Sequence, residues 1–78
     1  MNVLVTGGAG YIGSHVVKLL LENTDANVTV IDNLVTGFQS TIDTLQKIRP
    51  FKFIKADLSN WDEIEGIFKS NEFDSIIH

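Results

Sequence analysis

The chain has 78 residues, which is enough for one small domain. Its net charge of −4 and its scattered basic residues argue against a nucleic-acid partner, because a phosphate backbone selects basic faces. The sequence also lacks cysteine, a basic signal-peptide region and any apolar run near the roughly 20 residues of a membrane span, so we expect a cytoplasmic protein with no membrane partner.

The hydrophobic pattern predicts strands and helices in alternation. Short apolar runs, typical of strands buried on both faces, occur at residues 2–6, 28–31, 51–55 and 74–78. The segments between them carry apolar residues at spacings of three and four, which predict helices. We expect the inward faces of the three helices to consist of Ile12, Val16, Leu19 and Leu20, of Ile42, Leu45 and Ile48, and of Trp61, Ile64, Ile67 and Phe68.

The ends of these helices are marked by residues that favour such positions. Polar residues from Asn23 onward close the first helix, and Pro50 ends the second because it cannot continue one. Ser59 or Asn60 can cap the third helix. The acidic residues at the matching capping-box positions are Asp62 and Glu63.

This alternation predicts an α/β fold, the first half of a Rossmann-type doubly wound parallel sheet with the element order βαβαβαβ. Parallel strands joined by helices require right-handed crossovers, which place the first two helices on one face. The strand order 3-2-1-4, inferred from the fold type, places the third helix on the opposite face. Ligands bind such sheets where the order reverses, here between strands one and four.

A glycine-rich loop lies between the first strand and the first helix. Gly8, Gly10 and Gly13 satisfy G-x-G-x-x-G, and Gly7 with the last two satisfies G-x-x-G-x-x-G. Such glycines allow a tight turn, a close approach of backbone to a pyrophosphate, and close packing of helix on strand. The helix N-terminus would then offer N–H groups to the phosphates. The alternative is a glycine-rich turn without a ligand.

A phosphate loop of the Walker type is the nearest competing motif. Gly8 and Gly13 have the required spacing, but Ser14 and His15 follow where Lys-Ser or Lys-Thr is needed. No lysine is therefore available to reach a γ-phosphate.

Two acidic residues follow predicted strands. Asp32 lies 19 residues after Gly13, where dinucleotide folds keep an acid for the adenosine ribose. This carboxylate would repel the 2′-phosphate of NADP, and no arginine is nearby to receive that phosphate, so NAD is favoured. Asp32 could instead only begin an Asx turn. Asp57 could approach the adenine or help to cap the third helix.

The remaining polar residues do not indicate a catalytic or metal site. For His15 an interior polar contact is expected rather than catalysis, and His78, the last residue, supports no inference. The acidic residues Asp62, Glu63 and Glu65 have no His or Cys partner nearby and are expected to form a solvated helix face, so we expect no metal.

The loop is more specific than a generic fingerprint. The sequence VLVTGGAGYIGSH at residues 3–15 resembles the opening of extended short-chain dehydrogenases/reductases, the NAD-dependent epimerase/dehydratase family. Tyr11, the Ser14-His15 pair and Asp32-Asn33-Leu34 with Gly37 are most similar to the UDP-glucose 4-epimerases of this family. Sugar-nucleotide 4,6-dehydratases usually carry Phe at the position of Tyr11 and diverge after Asp32. Two later stretches fit the same family: Ala56-Asp57-Leu58 and Ile76-Ile77-His78.

The resemblance implies NAD as the cofactor and assigns its contacts. The backbone of Tyr11 and Ile12 would bind the pyrophosphate, residues 32–37 would surround the adenosine ribose, and Asp57 with Leu58 would lie beside the adenine. The full set of implied cofactor-binding residues is Gly7, Gly10, Tyr11, Ile12, Gly13, Asp32, Asn33, Leu34, Val35, Thr36, Gly37, Asp57 and Leu58.

The family's reaction transfers a hydride from sugar C4 to NAD+ and returns it to the other face of the 4-keto sugar, using a Tyr-x-x-x-Lys pair and a Ser or Thr. Here the only tyrosine is Tyr11, and His15 stands four residues later. We therefore expect residues 1–78 to be the N-terminal part of the NAD-binding domain and inactive alone. The catalytic residues would lie beyond His78, in a homodimeric protein that binds a nucleotide sugar.

Two other functional classes fit the same residues. The full-length protein could be a different enzyme of the family, such as a sugar-nucleotide 4,6-dehydratase, a decarboxylase or another epimerase. It could also be a non-catalytic NAD-sensing protein, because a fold does not determine a function.

Overall fold

A computed structural model describes residues 1–7, 10–34, 37–57, 59–70 and 72–77, without the side chains of Trp61 and Ser70. Four strands and three helices alternate within them. The strands are β1 (Asn2–Thr6), β2 (Asn27–Asp32), β3 (Lys52–Lys55) and β4 (Ser75–Ile77). The helices are α1 (Tyr11–Asn23), α2 (Gln39–Gln46) and α3 (Trp61–Ser70).

The four strands form one parallel sheet in the order β3-β2-β1-β4. In this register Val3 of β1 lies between Val28 of β2 and Ser75 of β4, so β1 is central. The predicted strand order is confirmed. Successive strands are added on one side of β1 up to β3, and β4 is then added on the other side of β1.

The two faces of the sheet carry separate hydrophobic clusters, because alternate side chains of each strand point to opposite faces. The first cluster joins α1 and α2 to Val3, Val5, Val28 and Val30. The second joins Ile64 of α3 to Leu4 and Ile31. The predicted placement of α1 and α2 on one face and α3 on the other is therefore confirmed.

The predicted inward face of α1 is only partly correct: Leu20 is half-buried and packs against the first cluster, but the fully buried residues lie one position later. The structure buries Val17 and Leu21, whereas Ile12 is 76% exposed and Leu19 60% exposed. Two pairs at i, i+4 spacing overlap in this segment: Val16 with Leu20, and Val17 with Leu21. Periodicity alone does not choose between them.

Two further core predictions need correction. Ile42, Leu45 and Ile64 are buried as expected, but Ile48 follows the end of α2 and is 39% exposed. Phe68 is equally exposed, and its ring packs edge-on against Phe73 with centroids 6.0 Å apart. The prediction for Trp61 concerns a side chain outside those described.

Candidate nucleotide-binding site

The segments that follow β1, β2 and β3 meet at the carboxyl edge of the sheet. The Gly7 N–H donates to the Ile31 carbonyl oxygen at 2.8 Å, which ties the end of β1 to the end of β2. The Ala56 N–H donates to the Asp32 carbonyl oxygen at 3.3 Å, which ties in the end of β3. The glycine loop, Asp32 and Asp57 therefore all lie at the carboxyl edge of the sheet.

The chain leaves β1 through a left-handed residue. Gly7 has a φ of +71°, a conformation that residues with a Cβ rarely adopt. The carbonyl oxygen of Gly7 accepts the Gly10 N–H at 3.1 Å, and Gly10 in turn accepts the Ser14 N–H at 2.9 Å to begin α1. The tight turn that the first glycine was predicted to make is present.

Gly10 is the N-cap of α1, and its backbone does not itself require glycine. Its φ of −79° and ψ of 174° are open to other residues. A Cβ at this position would meet the Gly7 carbonyl oxygen at 3.4 Å, close to ordinary contact. The backbone angles and the local space therefore do not by themselves require glycine at this position.

The N-terminus of α1 is suited to an anion. Within the described part of the chain, no side chain caps this end, and the first turn carries no acidic residue. Tyr11 and Ile12, the first two residues of the helix, are 82% and 76% exposed. First-turn N–H groups and the positive end of the helix dipole favour a phosphate.

Asp32 is nearly buried at the end of β2, with 7% of its surface exposed. Its Oδ1 accepts the Leu34 N–H at 2.7 Å, so the Asx turn foreseen as the alternative to a ligand role is present. This turn and a ribose contact are compatible, because an ionised carboxylate has about four lone-pair positions.

Asp57 lies in the loop after β3, where its carboxylate organises the approach to α3. Its Oδ1 accepts the backbone N–H of Ser59 at 2.9 Å and the hydroxyl of Ser59 at 2.7 Å. These two bonds, the backbone one foremost, lower the pKa of Asp57 from its ordinary value of 3.8. Both donors precede the start of α3 at Trp61, so these bonds order the turn before the helix and do not cap its N–H groups.

The cap of α3 uses Asn60 rather than Ser59. Asn60 Oδ1 accepts the Glu63 N–H at 3.5 Å, and the Asn60 carbonyl oxygen accepts the Ile64 N–H at 3.2 Å. Glu63 lies at the predicted capping-box position, but its Oε2 accepts the Asp57 N–H at 3.3 Å, beyond the start of the helix.

Of the other predicted site residues, some are described by the structure and some are not. Gly13 lies in the first turn of α1 and is half-buried, Asn33 is exposed, and Gly37 is buried before α2. Val35, Thr36 and Leu58 lie outside the described residues, as do Gly8 of the glycine motif and His78.

The expectation of an interior contact for His15 is wrong. His15 is exposed, and its ring stands edge-on to that of Tyr11 with centroids 4.9 Å apart. The residue lies two positions from Val17, about 200° around the helix, so it cannot share the buried stripe.

Sequence reasoning missed the conformation of Leu34. This residue has a φ of +63°, and it is the one non-glycine residue with a positive φ in the described ranges. A leucine after Asp-Asn gives no indication of a left-handed backbone, because bulky residues rarely adopt it.

Metal-binding clusters and membrane-spanning helices are both absent among the described residues. Among the described residues, no three or more His, Cys, Asp or Glu side chains group in a way that could hold a metal ion. Within the same residues, none of the helices combines the length and apolarity needed to span a bilayer.

Comparison with known proteins places these features in a family. Residues 3–78 match the NAD dependent epimerase/dehydratase family. The chain is 43% identical over 81 residues to UDP-arabinose 4-epimerase 1 of Arabidopsis thaliana, covering 99% of this chain and 19% of the relative. It therefore spans about a fifth of the length of this curated relative.

Solved structures give the same result. The UDP-Glc/GlcNAc 4-epimerase of Campylobacter jejuni superposes with a TM-score of 0.95 at 42% identity, over 99% of this chain and 23% of that one. UDP-glucose 4-epimerase of Bifidobacterium longum, solved with NAD+ and UDP, gives 0.92 at 31% identity, over 100% and 24%. These matches confirm the Rossmann-type fold and the predicted resemblance, and the family description agrees with the expected cofactor. The chain belongs to the NAD dependent epimerase/dehydratase family.

Proposed function

We propose that this chain is the adenosine-side NAD-binding part of a nucleotide-sugar 4-epimerase. The observation that carries the proposal is the N-terminus of α1, where Gly10 leaves the helix end without a side-chain cap although its backbone conformation suits other residues. The similarity to three 4-epimerases that differ in their sugars supports the reaction more strongly than any one sugar.

In this proposal the pyrophosphate binds at the start of α1. Gly7 turns the chain out of β1, and Gly10 leaves room for the phosphates. The backbone N–H groups of Tyr11 and Ile12 would donate to the phosphate oxygens, and the helix dipole would add to this attraction. Gly13 would allow α1 to pack closely on the sheet.

The adenosine would bind across the ends of β2 and β3. Asp32 would accept hydrogen bonds from the ribose hydroxyls, while residues 33–37 surround the ribose and Leu58 lies beside the adenine. Asp57 would reach the adenine edge while still holding Ser59. The negative charge of Asp32 favours NAD over NADP, because a 2′-phosphate would be repelled.

NAD bound in this way would supply the hydride acceptor for chemistry at sugar C4. The 78 residues contribute binding and orientation, since the chain has one tyrosine and no lysine four residues after it. We propose that the Tyr-x-x-x-Lys pair and the UDP-sugar site belong to the longer protein, a cytoplasmic homodimer, and that residues 1–78 alone are inactive. Tyr11 favours a 4-epimerase over a 4,6-dehydratase.

The test is calorimetric titration of the full-length protein with NAD and with NADP. NAD should bind more tightly, and Asp32→Ala should weaken NAD by at least about tenfold, because a hydrogen bond to a charged group contributes about 1.5–3 kcal/mol. Asp25→Ala is the matched control, since it removes the same charge at an exposed position in the loop before β2. Equal affinity for the two dinucleotides would contradict the assignment.

The enzymatic part of the proposal has a separate test. The full-length protein should interconvert UDP-glucose and UDP-galactose or another UDP-sugar pair, and residues 1–78 should show no turnover. Turnover by the 78-residue chain would show that the catalytic residues do not lie outside it. NAD binding without turnover by the full-length protein would favour a non-catalytic NAD sensor.

A further inference from the structure

The loop after β2 contains a residue whose conformation and type are in conflict. Leu34 has a φ of +63°, where a leucine is strained and a glycine is not. Strain of this kind persists when surrounding interactions hold it in place, and it occurs often at binding sites. The question is therefore what the leucine side chain contributes at a position where glycine would be less strained.

The two ends of Leu34 make different contacts. Its N–H donates to Asp32 Oδ1 at 2.7 Å, a short bond to a charged acceptor. Its side chain is half-buried and packs against the hydrophobic cluster that joins α1 and α2 to the sheet. The apolar contact therefore holds the backbone in the position from which the N–H reaches the carboxylate.

Asp32 is buried, so contacts within the protein orient its carboxylate more than solvent does. Its surface is 7% exposed, so few solvent molecules can reach the carboxylate, and hydrogen bonds from the protein must fix its rotation. A carboxylate fixed before binding loses less conformational freedom when a ligand arrives. A fixed carboxylate also keeps its negative charge in one position relative to the ligand.

We propose that Leu34 is the positioning residue for Asp32 and thereby sets the discrimination between NAD and NADP. The inference rests on the proposed function, which assigns Asp32 to the adenosine ribose. Leu34 acts through its anchored side chain, which holds the N–H on one carboxylate oxygen. The oriented carboxylate then accepts ribose hydroxyls and opposes a phosphate on the same ribose.

Three variants separate this role from simple packing. Leu34→Gly permits the left-handed backbone but removes the anchor, and Leu34→Met keeps an apolar side chain of similar volume. Leu20→Ala is the matched control, because Leu20 is a partly buried leucine that packs against the same cluster from α1. All three are measured in the full-length protein for NAD affinity, NADP affinity and residue-resolved amide hydrogen exchange without ligand.

We expect Leu34→Gly to weaken NAD by about tenfold and to narrow the NAD-to-NADP affinity ratio, with faster exchange of the amide at position 34. For Leu34→Met, the NAD-to-NADP affinity ratio should stay within about twofold of that of the unmutated protein. Leu20→Ala should lower stability and leave the ratio unchanged.

Two results would overturn the inference. One is a Leu34→Gly protein that keeps both the affinity ratio and the slow exchange at position 34. The other is a Leu20→Ala protein in which the ratio narrows equally, since a general loss of packing would then explain both. If the unmutated protein binds neither dinucleotide, the proposed function fails. The amide exchange at position 34 then still tests the contact with Asp32: faster exchange in the Leu34→Gly protein than in the unmutated protein supports it, and unchanged exchange contradicts it.

Discussion

The two edges of the sheet are built in opposite ways, and the difference is clearest at the two ends of α1. At the carboxyl edge, the helix begins at Gly10 without a side-chain cap among the described residues, and the left-handed residues Gly7 and Leu34 lie in the segments that follow β1 and β2. At the amino edge, the C-terminus of the same helix is held by several hydrogen bonds. One end of α1 is left uncapped, where we propose that the pyrophosphate binds, and the other end is closed by hydrogen bonds.

Arg49 closes the C-terminal end of α1. Its guanidinium donates to the carbonyl oxygens of Ala26 at 2.9 Å, Thr24 at 3.0 Å, and Leu20 and Leu21 at 3.4 Å each. These carbonyls belong to the last turn of the helix and the loop after it, where partners within the helix run out. The positive charge also complements the negative end of the helix dipole.

A second set of polar contacts joins the strands at the same edge. Asn27 Nδ2 donates to Asn2 Oδ1 at 3.1 Å, and Asn2 Nδ2 donates to the Glu72 carbonyl oxygen at 3.1 Å. The Asn2 backbone N–H donates to Asp74 Oδ2 at 2.7 Å, and Asp74 returns a backbone bond to Asn2. The central strand is thus tied to both of its neighbours.

This comparison predicts that substitutions at the two edges separate ligand affinity from stability. A change at the carboxyl edge should mainly lower the affinity for NAD. A change at the amino edge should mainly lower the free energy of unfolding. Such a division is expected where a binding site keeps strained or uncapped groups that the rest of the fold must compensate.

The largest expected effect is that of Gly10→Val on cofactor binding. The backbone at Gly10 suits valine, but the branched side chain would occupy the approach to the first-turn N–H groups. We expect NAD affinity to fall at least about a hundredfold, equivalent to about 2.7 kcal/mol, with the fold retained. Calorimetry measures the affinity, and circular dichroism monitors the fold.

Gly66→Val provides the control for this experiment. Gly66 lies in α3, and a Cβ added there meets nothing within 4 Å. This substitution should leave NAD affinity unchanged. Retention of bound NAD by the Gly10→Val protein after purification would show that the pyrophosphate does not lie at this helix end.

The next effect is that of Arg49→Ala on stability. Removing the guanidinium leaves four carbonyl oxygens without this donor, and we expect a loss of about 2–3 kcal/mol in the free energy of unfolding. Arg49→Lys should be more stable than Arg49→Ala but less stable than the unmutated protein, because an ammonium group carries the charge but cannot reach all of the same acceptors. Urea denaturation measures both variants, with exposed Lys47→Ala as the control. A fall in NAD affinity as large as that of Gly10→Val would contradict the separation of the two edges.

The sequence predicts the carboxyl edge better than the amino edge. Glycines after a strand and an acid at the end of the next strand are local patterns, and the fold places them as expected. Arg49 has no such local pattern, because its acceptors lie 23 to 29 positions earlier in the chain. Only the packing of α2 beside α1 brings it to the helix end.

The errors inside the elements have similar causes. The strands could be located because their apolar runs are short and bounded by polar residues or glycine. The buried stripe of α1 could not, because two apolar stripes overlap and contact with the sheet selects Val17 and Leu21. Leu34 could not be identified either, because a bulky residue rarely adopts a positive φ and no local pattern marks the position.

The smallest expected effect is an acid-dependent one at the carboxyl edge, and it refines the comparison. Asp57 is exposed, and its pKa is lowered mainly by the backbone N–H of Ser59 and then by the Ser59 hydroxyl. Since the pKa is lower in the folded than in the unfolded chain, ionised Asp57 stabilises the fold at pH values above its ordinary 3.8. This contribution is lost as the pH falls through the lowered value.

Asp57→Asn should therefore lower the urea midpoint at neutral pH, and its difference from the unmutated protein should shrink as the pH falls below about 4. Ser59→Ala removes the hydroxyl donor and keeps the backbone one, so its pH-dependent loss should be the smaller of the two. Asp25→Ala, at an exposed residue outside this turn, controls for the loss of charge. A difference that stays constant into acid would show that the Asp57 carboxylate does not stabilise α3 through its ionised form. The carboxyl edge would then contribute only to binding, and the contrast with the amino edge would be sharper than the structure implies.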